Sequence, residues 1–157
     1  MKTRRLSSEE AARIRHIFTN KRTYEIGEAA TLLGLDERDL CDEIDRGDIA
    51  ATADTRLPWK EAAYLALRNW PLDLIFEALG ADADSHLPAL LRPTTITTTL
   101  PGYQVRMLEV LAQHYGLDLS TFLQLHLLDL ASVESPMLAD CIPGFSEAFR
   151  FPYGGEV

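Results

Sequence analysis

The stretch from Thr94 to Val133, reading TTITTTLPGYQVRMLEVLAQHYGLDLSTFLQLHLLDLASV, constrains the chain most, because as written it is an incomplete folding unit. Its opening run of Thr and Ile favours strand. From Leu100-Pro101 onward the period becomes helical, with Val105, Leu108, Leu111, Ala112 and Tyr115 on one face, and Gly116 then ends that helix. Asp118 or Ser120 can cap a second helix. Its apolar residues Leu119, Phe122, Leu123, Leu125, Leu127, Leu128, Leu130 and Ala131 cover more than one stripe, so it needs cover on several sides. A lone strand of about six residues leaves its backbone donors unsatisfied. The simplest completion of the unit is a second copy of the chain, which predicts a homodimer.

In spacing as well as pattern these forty or so residues resemble the ribbon-helix-helix family of dimeric DNA-binding proteins. The features of that family are an alternating strand ending in Leu, a Pro or Ser opening the first helix, a later Ala, a Gly and a Ser-rich second cap. Here they fall on Leu100, Pro101, Ala112, Gly116 and the turn from Asp118 to Ser120. The resemblance implies that two strands pair antiparallel across the dimer and enter the DNA major groove as a ribbon. Alternation then sets Ile96, Thr98 and Leu100 toward the shared core and Thr95, Thr97 and Thr99 toward the bases. The dimer core implied is Ile96, Leu100, Leu108, Leu111, Phe122, Leu123 and Leu127. Threonine bonds either kind of base edge and touches a thymine methyl, without the bidentate geometry of Arg or Asn. In the family the second helix's N-terminus also holds a phosphate, which would place Ser120 on the DNA backbone, although Asp118 beside it is an anionic departure. The same residues have a plainer reading: Thr is a good strand former and a Leu-rich helix is core.

Upstream, Ser7 with Glu10 makes a capping box for a first helix from about Ser8 to Asn20, with Ala11, Ile14, Ile17 and Phe18 as its apolar stripe. Ile26, Ala29, Ala30 and Leu33 then form one short helical face, Leu40 and Ile44 a second, and Gly34 sits between them. Two short helices across a Gly-bearing turn make a helix-turn-helix. Ile49 to Leu57 reads as two brief strands around Ala53-Asp54, and Pro58 opens another helix. This segment looks like the winged helix-turn-helix of the excisionase and MerR-type families, on Tyr24, Ile26, Glu28, Ala29, Ala30, Leu33, Gly34, Leu40, Ile44 and Gly47.

Charge tempers the DNA contact there. The net charge is −9, the wrong sign for binding nucleic acid through bulk electrostatics. Residues 1–23 carry seven Lys or Arg against two Glu, residues 24–89 five against fifteen carboxylates, and residues 90–157 three against seven. Lys2, Arg4, Arg5, Arg13, Arg15, Lys21 and Arg22 either contact phosphates or form a solvated face. From Asp36 to Asp48 seven carboxylates stand against Arg38 and Arg46, a density that repels a duplex. Arg38, Arg46 and Arg56 are the phosphate-contact candidates in this segment, and Arg92 is the one beside the ribbon.

The chain therefore reads as mainly α. Its expected parts are a basic arm and helix (1–23), a winged helix-turn-helix-like domain (24–80), a connector (81–93), a ribbon-helix-helix dimerisation domain (94–133) whose one short strand pairs across the dimer, and an apolar tail (134–157). Met137, Leu138, Ile142, Phe145, Phe149, Phe151 and Tyr153 in the tail need cover from the chain's own core, from its twin or from a separate protein. Cys41 and Cys141 form no CxxC pair, and His16, His86, His114 and His126 lack metal-ligand spacing, so neither a metal nor another cofactor is expected. No Gly-rich phosphate loop, GxSxG elbow or HExxH is present, and no enzyme is expected. No apolar run approaches the ~20 residues that span a bilayer, and the N-terminus lacks a secretory h-region, which predicts a cytoplasmic chain without a membrane partner. The expected function is a DNA-binding transcriptional regulator, a dimeric repressor that occupies an operator on double-stranded DNA. The competing expectation is a protein-interaction module, an antitoxin or adaptor that uses the acidic helix-turn-helix and the tail to hold a protein partner.

Overall fold

The computed structural model describes residues 6–152. The arm residues Lys2, Arg4 and Arg5, and Tyr153 of the tail, lie outside them. The protein is mainly helical with one small two-stranded antiparallel sheet. It divides into two compact units, one made of residues 6–93 with 147–152, the other of residues 94–146. Among the described residues no helix is long and apolar enough to cross a membrane.

The first unit opens with α1 (Ser8–Asn20). The Glu10 amide donates to Ser7 Oγ and the Ser7 amide to Glu10 Oε2, both at 3.1 Å, which satisfies two of the donors that a helix start leaves over. Ile14, Ile17 and Phe18 recur at helical spacing and are fully buried. Strand β1 (Tyr24–Glu25) leads into α2 (Ile26–Leu33), which buries Ile26, Ala29, Ala30 and Leu33. Gly34 ends α2 in the left-handed region (φ 67°), where a side chain is disfavoured, and lets the Leu35 amide donate back to the Ala30 carbonyl at 2.9 Å. Asp36 then caps α3 (Glu37–Asp45) by accepting from the Arg38 amide at 2.8 Å. The α2–turn–α3 pair thus forms where the spacing of the apolar residues predicts it.

The wing differs from expectation. Residues 49–57 do not form two strands; β2 (Arg56–Leu57) pairs with β1 instead, Tyr24 opposite Leu57 and Glu25 opposite Arg56. Within the hairpin the remaining order comes from Thr52, whose amide donates to the Arg56 carbonyl (2.9 Å) while its Oγ1 accepts from the Arg56 amide (3.1 Å). The strand partner is thus the non-local β1, with the local bonds reduced to those of Thr52.

Helices α4 (Trp59–Asn69) and α5 (Leu72–Leu79) complete the core, Leu65, Ala66, Ile75 and Leu79 closing on α1 and α2. Trp59 Nε1 donates to the Ile17 carbonyl (3.0 Å) and Arg15 Nε to the Ala78 carbonyl (2.8 Å), so one basic residue of the N-terminal helix serves the fold. Residues 81–93, read as a connector, contain the short α6 (Ala83–His86) and 3-10 turns at Gly80–Asp82 and Ala89–Leu91, and Ala83 and Leu87 are buried in the same core. Phe151 packs edge-on against Trp59, ring centroids 6.2 Å apart, so part of the apolar tail is covered by the first unit.

The second unit begins with residues 94–100, expected as a strand, which form no strand within the protomer. It continues with α7 (Gly102–His114), a turn with Gly116 at φ 69°, α8 (Leu119–Val133) and α9 (Ser135–Cys141). Helix α10 (Phe145–Arg150) follows. Helix α8 packs on α7 and α9. The buried side chains here are Ala112 and Phe122, with Tyr115 stacked on Phe122 at 6.0 Å.

Candidate nucleic-acid interface

The expected site residues divide between the two units. In the second, Thr95, Thr97 and Thr99 lie in the exposed run before α7, with Ile96 (84% exposed) among them. A strand is held by backbone partners, and among the described residues Thr95 to Leu100 make no backbone–backbone hydrogen bond.

The residues expected in a dimer core behave in two ways. Phe122 is buried inside the protomer, where it closes α7 on α8. Leu108 is half-buried, while Ile96, Leu100, Leu111, Leu123 and Leu127 are exposed. Val105, Met107, Val110, Leu119, Leu128, Leu130 and Val133 are exposed with them. A shallow apolar groove of about 300 Å³ lies on α8 between Gln124, Leu127 and Leu128.

At the start of α8, Asp118 is the cap. Its carboxylate accepts from the Thr121 amide (3.0 Å) and the Thr121 hydroxyl (2.6 Å), and these bonds hold its carboxyl below the usual carboxylate range. Ser120 Oγ accepts from Gln124 Nε2 at 3.4 Å, one turn on. The helix dipole and the Thr121 amide are therefore already matched to a side-chain anion, which leaves a phosphate at Ser120 competing with Asp118.

In the first unit, Arg38 is exposed on the opening turn of α3. Arg46 Nε holds Asp48 Oδ2 at 2.9 Å, and Arg56 Nη1 holds Glu25 Oε1 at 3.3 Å. Arg92 pairs with Asp84 and lies over the Phe76 ring, 5.2 Å from its centroid. Three of the four arginines expected on phosphates thus face a carboxylate of the chain. Arg68, which periodicity did not single out, grips Glu43 of α3 with two 2.8 Å bonds and locks α3 to α4. The hydrogen bond from Arg68 holds the Glu43 carboxyl below the usual range. The His126 ring meets Phe122 edge-on at 4.3 Å, one turn apart on α8.

No family model matches the chain, and no curated protein or solved structure is significantly similar to it.

Proposed function

We propose that the protein is a dimeric DNA-binding regulator, a repressor that acts by occupying an operator, with Thr95, Thr97 and Thr99 presented to the major groove by a ribbon of two strands. The observation that carries this reading is the second unit: an exposed Thr/Ile run precedes two helices whose apolar side chains are largely exposed. Its 53 residues bury only Ala112 and Phe122 among the described core, far short of what an independent domain of that size needs. A second copy supplies two things at once, a backbone partner for Thr95 to Leu100 and cover for α7 and α8. Recognition by Thr makes for modest base discrimination and leaves much of the affinity to the backbone.

A second reading is favoured by the pairing of Arg46, Arg56 and Arg92 with carboxylates. An acidic α3 whose neighbouring cations are already neutralised suits a basic protein surface better than a phosphate backbone, which makes the first unit an adaptor for a protein partner.

Fluorescence anisotropy with a duplex from the protein's own upstream region, against a scrambled duplex, tests the first reading. Selective binding whose log affinity falls with log salt, by about 0.9 per phosphate engaged, supports it. Thr97→Ala with Thr99→Ala is expected to remove the selectivity and leave the dimer intact. Absence of binding to either duplex at low salt refutes it.

A further inference from the structure

Lysine is rare in this chain, with three in the sequence, and two of them line one cavity of the first unit. Lys21 follows the last residue of α1, and Lys60 lies in the first turn of α4. They share a cavity of about 290 Å³ with Trp59, with His86 of α6 and with Phe151 of the returning C-terminal segment. All five belong to the same compact unit, so the cavity is built without any residue of the second.

Its walls divide by chemistry. Trp59 is half-buried and fixed in orientation, because Nε1 donates to the Ile17 carbonyl at 3.0 Å. Phe151 meets it edge-on, and Leu87 and Pro88 extend the apolar side. Lys21 Nζ lies 5.1 Å from the centroid of the Trp59 ring. Among the described residues neither Lys21 nor Lys60 is paired with a carboxylate; Asp84 and Glu147 also line the cavity, but Asp84 is held by Arg92. This stands out in a chain with 24 carboxylates against 15 Lys and Arg, where Arg22, Arg46, Arg56, Arg68, Arg92 and Arg106 each hold an acid.

His86 adds an independent observation. Its Nδ1 is buried and has no hydrogen-bond partner among the described residues. Burying a polar atom unpaired costs stability, so it calls for a partner that the chain itself does not supply.

We propose that this cavity binds a small aromatic carboxylate. Its ring lies against Trp59 and Phe151, its anion is shared by the Lys21 and Lys60 ammonium groups, and His86 in its Nδ1–H tautomer is a further donor. The cavity is near the lower end of the range of about 300–1,000 Å³ for small-molecule sites, which suits a ligand of one or two fused rings, and it pairs an apolar wall with a few converging polar groups. An inorganic anion leaves the aromatic wall in water. A neutral aromatic leaves both ammonium groups and the imidazole unused. A carboxylate on a ring satisfies both sides, and the apolar wall strengthens its attraction to the lysines by lowering the local dielectric. This site is separate from the DNA reading and stands or falls without it.

The test is isothermal titration calorimetry of the full chain with 2-naphthoate and with 2-naphthalenemethanol, the same rings without the charge. The naphthoate is expected to bind one to one with a Kd below about 1 mM, and the alcohol at least about ten-fold more weakly. Lys21→Gln and Lys60→Gln are each expected to weaken the naphthoate about ten-fold, while Arg106→Gln, which removes a positive charge from the second unit, leaves it unchanged. His86→Leu is expected to weaken binding and to raise the melting temperature of the unliganded protein, because it removes an unpaired buried nitrogen. Absence of binding at millimolar naphthoate overturns the proposal, as does equal affinity for the alcohol or wild-type affinity in both lysine variants. So does a His86→Leu protein that binds as the wild type does and melts lower, the behaviour of an imidazole that only supports the fold.

Discussion

Replacing Phe122 by Ala is expected to abolish the folding of the second unit without unfolding the first. Phe122 is 4% exposed and joins α7 to α8 in a unit with few other buried side chains. A phenylalanine buries roughly 200 Å², worth about 5 kcal/mol at ~25 cal/mol/Å², and an already compact unfolded chain lowers that to about 3–5 kcal/mol. Loss of the stack with Tyr115 adds about 0.5–1.5 kcal/mol. If this unit is completed by a second copy, the loss is felt twice per dimer. At roughly 4 kcal/mol per protomer the association constant falls by more than about 10⁵-fold, since each 1.4 kcal/mol is tenfold. Limited proteolysis with sedimentation equilibrium at micromolar protein reads the outcome. Residues 94–146 should become protease-sensitive and the chain monomeric, while a fragment containing α1 to α5 survives and keeps its thermal transition. Leu125→Ala, which removes a side chain 47% exposed, serves as the mild control. A Phe122→Ala protein that remains dimeric with a loss below about 1 kcal/mol refutes the argument that this ring organises the unit.

Arg68→Ala is expected to loosen α3 from α4 and cost about 0.5–1 kcal/mol at pH 7, the scale of a partly exposed ion pair with good bidentate geometry. Because Arg68 holds the Glu43 carboxyl below its ordinary value, the pair stabilises above the usual carboxylate range and fades as the pH falls through the lowered value. Urea denaturation of wild type and variant should therefore converge toward pH 3, and a constant difference across pH would show that the pairing is not the cause. Gly34→Ala places a Cβ at φ 67° and 3.0 Å from Arg13 Nη1, with an expected loss of about 1–2 kcal/mol from the left-handed backbone alone. An unchanged melting temperature would mean that the α2–α3 turn tolerates another conformation.

Much of the local structure was legible because short-range rules act on adjacent residues. Ser7 and Glu10 announce the start of α1, Gly34 and Gly116 the ends of α2 and α7, and the spacing of Ile14, Ile17 and Phe18 a buried stripe. The wing was misread because alternation states that residues 49–57 suit a strand and not which strand receives them; Tyr24–Glu25, more than thirty residues away, took the pairing. The polar stretch from 81 to 93 reads as linker by composition, yet two residues, Ala83 and Leu87, commit it to the core.

The candidate site rests on the same short-range rules. Alternation led to the expectation of Thr95, Thr97 and Thr99 on one side of a strand, where the structure has none, and periodicity predicted helices with too many leucines for one face. They could not show that Arg46, Arg56 and Arg92 would each turn to a carboxylate, since Coulomb pairing depends on which side chains the fold brings within about 4 Å. By itself, then, the sequence determined the helices, their caps and the surplus of apolar surface after Leu100, all consequences of neighbours three or four residues apart. Only the tertiary structure decided which strand pairs, which cations stay unneutralised and which apolar faces remain open, because those depend on contacts between segments far apart along the chain.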